Sequence, residues 1–248
     1  MNEKENLTLN RFEELCLRAR ECCTYFFTQF HSPAGASLAY RVANDNEISM
    51  WGGMESSERV VVRFGDEREI GYEAEFPIRL IKVEPRAPKF AERLNHRDFL
   101  GSLMGLGIER ATVGDIVVKE NAAYIFVLDT MEEFILENLV QVKHTNVSCS
   151  VLEEMPEEIA PVLKPRQVTV SSERMDGVIS KLFNLSRTEA KGLFEKELVF
   201  ADGRPMKNPS AQIKPGTAIS VRGHGKFIFD GIEGQTRKGR TVCMVRQY

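Results

Sequence analysis

The spacing of apolar side chains around residues 172–203 predicts two short helices, a strand and a tight turn. Apolar positions three and four residues apart form one face of each helix. The first face comprises Met175, Val178, Ile179, Leu182 and Phe183, and the second comprises Ala190, Leu193 and Phe194. Ser172 is predicted to cap the first helix, and Ser186 with Glu189 forms a capping box for the second. Residues 198–201 then form a predicted strand that leads into the turn.

A helical pattern also runs through residues 8–50 and predicts an N-terminal helical region over residues 1–73. Its first helix has an apolar stripe formed by Phe12, Leu15, Cys16, Ala19, Cys22, Cys23 and Phe26. A second helix is predicted to open at Ser32, the cap, and Pro33, which suits the first helical position. Gly52 and Gly53 indicate a turn further on.

Residues 74–153 alternate between strand and helix patterns and predict a separate domain. Its elements are predicted at residues 76–83, 95–106, 115–119, 123–128, 131–141 and 147–152, with a hairpin turn around Glu120, Asn121 and Ala122. The order β-α-β-β-α-β is typical of a ferredoxin-like or RRM-like domain. In an RRM, aromatic side chains on the central strands stack on bases, and Tyr124 and Phe126 share one strand face. The preferred alternative is that this face packs on the helices and leaves Ile125 and Val127 outward.

Residues 153–165 are acidic and contain three prolines, Pro156, Pro161 and Pro165, and they predict a linker over residues 154–168. This composition is typical of a linker, so a C-terminal domain is predicted over residues 169–248, ending in a strand extension. The fold class of the whole chain is predicted to be α+β.

Charge is distributed unevenly along the chain. The 248 residues have a formal net charge of −3, which argues against a wholly basic nucleic-acid binder. Residues 170–248, however, carry 14 Lys+Arg against 8 Asp+Glu, a net +6, whereas residues 1–169 carry 19 against 28, a net −9. This asymmetry favours a basic binding module attached to an acidic body.

The composition argues against a membrane protein, a secreted protein and a metalloprotein. No apolar run reaches the length of a membrane span, and the first ten residues lack the apolar core of a signal peptide. A cytoplasmic protein without a membrane contact is therefore expected. The five cysteines are odd in number and lack metal-ligand spacing, so free thiols and no metal site are expected. No small-molecule cofactor is expected either. No helix is predicted after Gly223 and Gly225, which excludes a dinucleotide-binding loop there.

Basic residues left outside the predicted core are the candidate RNA contacts. They are Arg174, Lys181, Arg187, Lys191, Arg204, Lys207, Arg222, Lys226, Arg237, Lys238 and Arg240. Arg187 and Lys191 lie one helical turn apart, on a helix whose N-terminal N–H groups attract phosphate. The alternative is an ordinary solvated surface.

The stretch that follows residue 172 resembles the S4 RNA-binding domain, a helix-turn-helix with a β-hairpin. The resemblance rests on Arg174-Met175-Asp176, on Ser186-Arg187 with Lys191, on the turn Asp202-Gly203, and on the run 216–221. Three residues depart from the pattern. Glu197 replaces the usual helix-ending Gly, which costs roughly 1 kcal/mol if its φ is positive. Gly192 lies inside a helix at about the same cost, and Thr217 replaces an Asp.

Three further runs resemble the YlmH-like bacterial family: residues 51–59, 96–116 and 225–240. The resemblance implies an N-terminal region, an RRM-like middle domain and a C-terminal S4 domain. It implies association with the large ribosomal subunit and with rRNA or tRNA there, in ribosome-associated quality control of stalled nascent chains, and for some members a link to cell division. The residues that match the S4 pattern are Arg174, Arg187, Lys191 and Arg204.

S4 domains also accompany RNA-modifying enzymes, so a catalytic alternative has to be weighed. No acid/base pair stands out in the sequence. Asp176 belongs to the S4 helix, His96 and Asp98 fall in a helix-capping motif, and Asp115 is read as a turn residue. A non-catalytic RNA-binding factor is the preferred hypothesis. One alternative is an RNA-modifying enzyme, such as a pseudouridine synthase-like protein, that uses its S4 domain as a targeting module. Another is a protein-interaction scaffold in cell division.

Overall fold

The computed structural model of the protein describes residues 3–120 and 122–248, and it divides into two compact units. The first unit extends to Ala160 and the second runs from Pro161 to Tyr248. The boundary lies inside the segment 154–168, but this segment is not a linker throughout. Ile159 is buried in the first unit, and Lys164 already begins a strand of the second. Asn121, one of the predicted hairpin residues, lies outside the described residues.

The first part of the first unit is a small helix-on-sheet layer, and the prediction of a purely helical region is wrong. Its elements are α1 (Glu3–Cys22), β1 (Phe26–His31), α2 (Pro33–Ala36), β2 (Ile48–Trp51), β3 (Val60–Phe64) and α3 (Glu67–Ile70). The strands form an antiparallel sheet in the order β1-β3-β2. Helix α1 stops before Cys23, whose φ is +47°, because the aromatic and β-branched residues that follow favour a strand. The predicted stripe is therefore buried only as far as Ala19, and both Cys22 and Cys23 are exposed.

The second helix begins as predicted, with the Ser32 hydroxyl accepting a hydrogen bond from the Gly35 N–H and Pro33 at the first position. It continues only as a 3₁₀ turn.

The rest of the first unit follows the order β-α-β-β-α-β, with one short additional strand. Its elements are β4 (Ile78–Pro85), α4 (His96–Gly105), β5 (Val113–Lys119), β6 (Ala122–Leu128), α5 (Glu132–Asn138), β7 (Gln141–Val142) and β8 (Thr145–Leu152). The antiparallel sheet has the order β5-β6-β4-β8-β7. Asn95 and Asp98 form a capping box at the start of α4, as the sequence predicts.

The orientation of the central strand β6 is opposite to the preferred prediction. Ile125 and Val127 are fully buried in the core that contains Phe99 of α4 and Ile135 of α5. Tyr124 and Phe126 point to the other side of the sheet, and each is only 2% exposed. They pack there with side chains of the N-terminal layer and the 152–159 segment, including Phe30, Met54, Val61 and Ile159. Both faces of β6 are apolar, so the alternation of polar and apolar residues could not decide between them.

The second unit packs two helices on a six-stranded antiparallel sheet. Its elements are β9 (Lys164–Val170), α6 (Met175–Leu182), α7 (Arg187–Glu195), β10 (Val199–Ala201), β11 (Arg204–Pro205), β12 (Ala218–Val221), β13 (Gly225–Gln235) and β14 (Thr241–Gln247). The strand order is β11-β10-β12-β13-β14-β9. Val178 and Ile179 of α6 and Phe194 of α7 lie in one core with Phe227 and Phe229 of β13.

Local signals in this unit are mostly confirmed. Ser186 and Glu189 form the predicted capping box, with Glu189 N–H donating to Ser186 Oγ at 3.1 Å and Ser186 N–H donating to Glu189 Oε2 at 2.7 Å. Asp202 and Gly203 have φ values of +47° and +79°, and Glu197 has +53° at the predicted helix end. The prediction that Ser172 caps the first of these helices is wrong. Helix α6 begins at Met175, and Arg174 holds the cap position without a side-chain capping bond.

Candidate nucleic-acid interface

Three cationic side chains from separate elements of the second unit line one cavity of about 230 Å³. Lys181 comes from the last turn of α6, Arg187 is the first residue of α7, and Arg240 precedes β14. The same wall contains Thr169, Ser171 and Ser180. We call this cavity, defined by these six residues, the basic cavity. Positive charge combined with hydroxyl groups suits the oxygens of a phosphate, which accept hydrogen bonds and carry negative charge.

The register of the sheet brings Arg240 to this place. Strands β14 and β9 are paired with Thr241 opposite Val170. Arg240 immediately precedes Thr241 and Ser171 immediately follows Val170, so the pairing brings both to the same end of the two strands. The turn that carries Arg240 is closed by a hydrogen bond from the Thr236 N–H to the Arg240 carbonyl at 2.8 Å. Arg237 and Lys238 are exposed in the same turn.

Arg187 is held by the cap of its helix and by a neighbouring hydroxyl. The Ser186 cap fixes the first turn of α7, and the Arg187 guanidinium donates to Ser171 Oγ at 2.7 Å. The hydrogen bonds to Ser186 also lower the pKa of Glu189 in this turn. Glu189 therefore stays a carboxylate that is committed to the cap.

A second cavity of about 360 Å³ shares Thr169, Lys181 and Arg240 with the basic cavity and adds Arg166 and Asn184. Arg166 is not among the predicted RNA contacts because it falls in the predicted linker. The alternation of apolar Val168, polar Thr169 and apolar Val170 is a strand signal that could have placed it on β9.

Several predicted contact residues lie outside the basic cavity and have other partners. Arg174 donates from Nε and Nη2 to the two carboxylate oxygens of Asp176, at 3.1 and 3.0 Å. Lys207 is 3.3 Å from Glu197 in an exposed ion pair, and the Lys226 ammonium lies 5.2 Å from the centre of the Tyr248 ring.

The remaining predicted residues are spread over other parts of the second unit. Lys191 is exposed on α7, Arg204 is exposed on β11, and Arg222 is half-buried after β12. Neither cavity includes any of the three among its lining residues.

The first unit has a larger cavity of about 520 Å³ with a different character. Its wall combines apolar residues such as Trp51 and Phe76 with the carboxylates of Glu75, Glu153 and Glu154. Like charges repel, so this cavity is unsuited to a phosphate backbone.

Asp115 is not the turn residue that the sequence suggests, because it lies in strand β5. Its carboxylate accepts hydrogen bonds from the backbone N–H groups of Glu58 and Arg59, at 2.6 and 3.2 Å. Burial raises the pKa of Asp115 and lowers the pKa of Arg59 to about 10. The Arg59 guanidinium donates to backbone carbonyls of Phe30 and Val113, so this cluster ties the 51–59 run to the sheet.

Asp98 is likewise engaged in structure. It accepts the Asn95 N–H at 2.9 Å and lies 2.9 Å from the Lys143 ammonium, whose hydrogen bond lowers the pKa of the carboxyl. Within the described ranges, no group of three or more His, Cys, Asp and Glu residues is placed to hold a metal ion. No helix of the described residues is long and apolar enough to cross a membrane.

Comparisons with known proteins point to one family. The family model described as "Putative RNA-binding domain in YlmH" matches residues 72–156. The chain is 30% identical over 216 residues to the Ribosome-associated protein quality control protein P2 of Bacillus subtilis (strain 168), an alignment that covers 86% of this chain and 83% of the relative. The solved structure of the Cell division protein ylmH from Streptococcus pneumoniae aligns with a TM-score of 0.53 and 21% identity, over 65% of this chain and 97% of that one. At that identity the likeness shows the fold alone.

Proposed function

The chain belongs to the YlmH-like family, and from this premise we propose that it binds structured RNA through the basic cavity of its second unit. The observation that carries the proposal is the convergence of Lys181, Arg187 and Arg240 from three elements on one cavity that also presents hydroxyl groups. Membership of the family supports a ribosome-associated role in RNA binding. The second unit acts in this proposal as an S4-type RNA-binding module.

The proposed mechanism is recognition of the RNA backbone. Phosphate contacts by Arg and Lys release counterions and position a protein on its RNA without reading the base sequence. Arg187 offers a planar set of donors that matches two phosphate oxygens, whereas Lys181 acts as a point charge. Backbone recognition of this kind selects the shape of a folded RNA.

We propose rRNA or tRNA on the large ribosomal subunit as the partner, with quality control of stalled nascent chains as the process. A cytoplasmic location is part of this proposal. The Bacillus subtilis relative is named for ribosome-associated protein quality control, and that name supports the proposal. We propose that the protein binds RNA without modifying it, because Asp98, Asp115 and Asp176 are each engaged in structural hydrogen bonds.

Co-sedimentation of the full chain with purified large ribosomal subunits, at several salt concentrations, tests the proposal. Lys181→Ala, Arg187→Ala and Arg240→Ala should each weaken binding about three- to tenfold and reduce the salt slope by about 1. Lys214→Ala is the matched control, because Lys214 is an exposed cation of the same unit that lines neither cavity. Its binding should stay within about twofold of wild type. Wild-type binding by all three cavity variants would overturn the proposal.

A further inference from the structure

The surface through which an RRM binds bases is closed in this protein. Tyr124 and Phe126 occupy the face of β6 that would stack on bases, and both are 2% exposed. Phe30, Met54 and Val61 of the N-terminal layer cover that face. An RNA contact by the 72–156 domain therefore needs another surface.

A different aromatic ring of this domain is open to solvent. Phe90 is 91% exposed and lies between β4 and α4. The segment 86–97, which we call the Phe90 loop, includes this connection and the first two residues of α4. Burying a side chain of this size stabilises a folded protein, so near-complete exposure of Phe90 leaves an apolar surface that a partner can cover.

The Phe90 loop is anchored to the domain at several points. Arg86 donates from Nε to the Val147 carbonyl at 3.0 Å, and Glu92 accepts the His144 N–H at 3.0 Å. Leu94 is buried in the domain core at 2% exposure. The Phe90 N–H also closes a 3₁₀ turn on the Ala87 carbonyl. The ring is thus presented from a fixed backbone, which lowers the entropy lost on binding.

Exposed cationic residues lie near Phe90 in the chain. Lys89, Arg93 and Arg97 are exposed, and within the described part of the chain their side chains have no hydrogen bond or ion pair. Asp98, which follows the loop, is neutralised by Lys143. An exposed aromatic ring in a segment that also carries exposed basic side chains matches a single-stranded nucleic acid, whose bases stack on the ring while its phosphates contact the cations.

We propose that the Phe90 loop is a second RNA contact, in which an unpaired base stacks on Phe90 and the adjacent phosphates contact Lys89, Arg93 and Arg97. This inference rests on the proposed RNA-binding function but uses a surface separate from the basic cavity. The preferred ligand is a single-stranded or bulged nucleotide, because the bases of a duplex are already stacked on one another. The two contacts therefore favour different parts of a folded RNA.

Binding of the full chain to a single-stranded oligouridine, measured by fluorescence anisotropy at low salt, tests this proposal. Phe90→Ala should lose about five- to tenfold in affinity, and Phe90→Tyr should restore binding to within about twofold of wild type. Phe134→Ala is the control, because Phe134 is 42% exposed on α5 of the same domain and is flanked by Glu132 and Glu133. It should bind like wild type.

A spectroscopic readout reports stacking itself. In a Trp51→Phe background, which removes the only tryptophan of the chain, Phe90→Trp should give an indole emission that the oligouridine quenches. Failure of the wild-type chain to bind the oligouridine, or equal binding by Phe90→Ala with an unquenched indole, would overturn the proposal. Large-subunit binding by Arg187→Ala, measured in parallel, separates failure of this contact from failure of the basic cavity.

Discussion

Arg174 is a predicted RNA contact that also pairs with a buried carboxylate in the second unit. Replacing Arg174 distinguishes a contribution to RNA binding from a contribution to stability. Its guanidinium makes two hydrogen bonds to Asp176, whose side chain is fully buried. Arg174→Ala would leave that carboxylate without its cationic partner. Breaking a buried pair typically costs about 3–5 kcal/mol. We expect about 2 kcal/mol here, because Arg174 is 36% exposed and Asp176 lies in the first turn of α6, where the helix dipole favours a negative charge.

Urea unfolding of the full chain, followed by two signals, measures this effect. The only tryptophan, Trp51, lies in the first unit, so its fluorescence reports that unit, whereas circular dichroism reports both. We expect Arg174→Ala to lower the urea midpoint of the second unit by about 1 M, for a slope of roughly 2 kcal/mol per M. The Trp51 transition should stay unchanged. Arg187→Ala, an exposed control, should change stability by less than about 0.5 kcal/mol.

A second variant identifies the cause of the loss. If the unpaired charge is responsible, adding Asp176→Asn to Arg174→Ala should recover part of the stability, as a double-mutant cycle measures. The reasoning is refuted if Arg174→Ala unfolds at the wild-type urea concentration and weakens large-subunit binding as much as Arg187→Ala. Arg174 would then be an RNA contact, and its pairing with Asp176 would contribute little.

Three further results are expected. Glu47 accepts hydrogen bonds from Arg20 at 2.6 and 2.9 Å, which hold its pKa at about 2. Because this pKa lies below the unfolded value, the stabilisation is present above about pH 4.5 and is lost as the pH falls toward 2. Glu47→Gln should cost about 2 kcal/mol at pH 7 by Trp51 fluorescence, and a loss that does not shrink on acidification would contradict this origin. Gly192→Ala should raise the free energy of unfolding of the second unit by about 0.5–1 kcal/mol, and with it the urea midpoint, since a Cβ there meets no atom within 4 Å; a lower midpoint would disprove it. Phe126→Ala should cost about 3–5 kcal/mol yet keep the wild-type salt slope of large-subunit binding under folding conditions, whereas a reduced slope would indicate an RNA contact.

Local signals in the sequence were sufficient for some helix ends and tight turns, although not for the start of α6 or the end of α1. The Ser186–Glu189 capping box and the positive φ angles of the Asp202–Gly203 turn depend on residues within one turn of each other. Short-range hydrogen bonds and backbone sterics determine such features, so the spacing of residues is enough to predict them.

Features that depend on strand pairing could not be read in the same way. The basic cavity needs Thr241 opposite Val170, a register between segments about 70 residues apart. Orientation of β6 escaped prediction because Tyr124 and Ile125 are both buried, on opposite faces. The partner of Arg174 escaped because an arginine two residues from an aspartate reads equally as surface charge, and only the burial of Asp176 shows otherwise.

The most direct test of RNA binding at the basic cavity is to map protein–RNA crosslinks on the full chain bound to purified large ribosomal subunits. Ultraviolet crosslinking followed by peptide mass spectrometry identifies the segments that touch RNA. We expect crosslinked peptides from residues 166–191 and 237–240, with loss of these crosslinks in the Arg187→Ala and Arg240→Ala variants. Crosslinks confined to the first unit, with none in these two segments, would contradict the account.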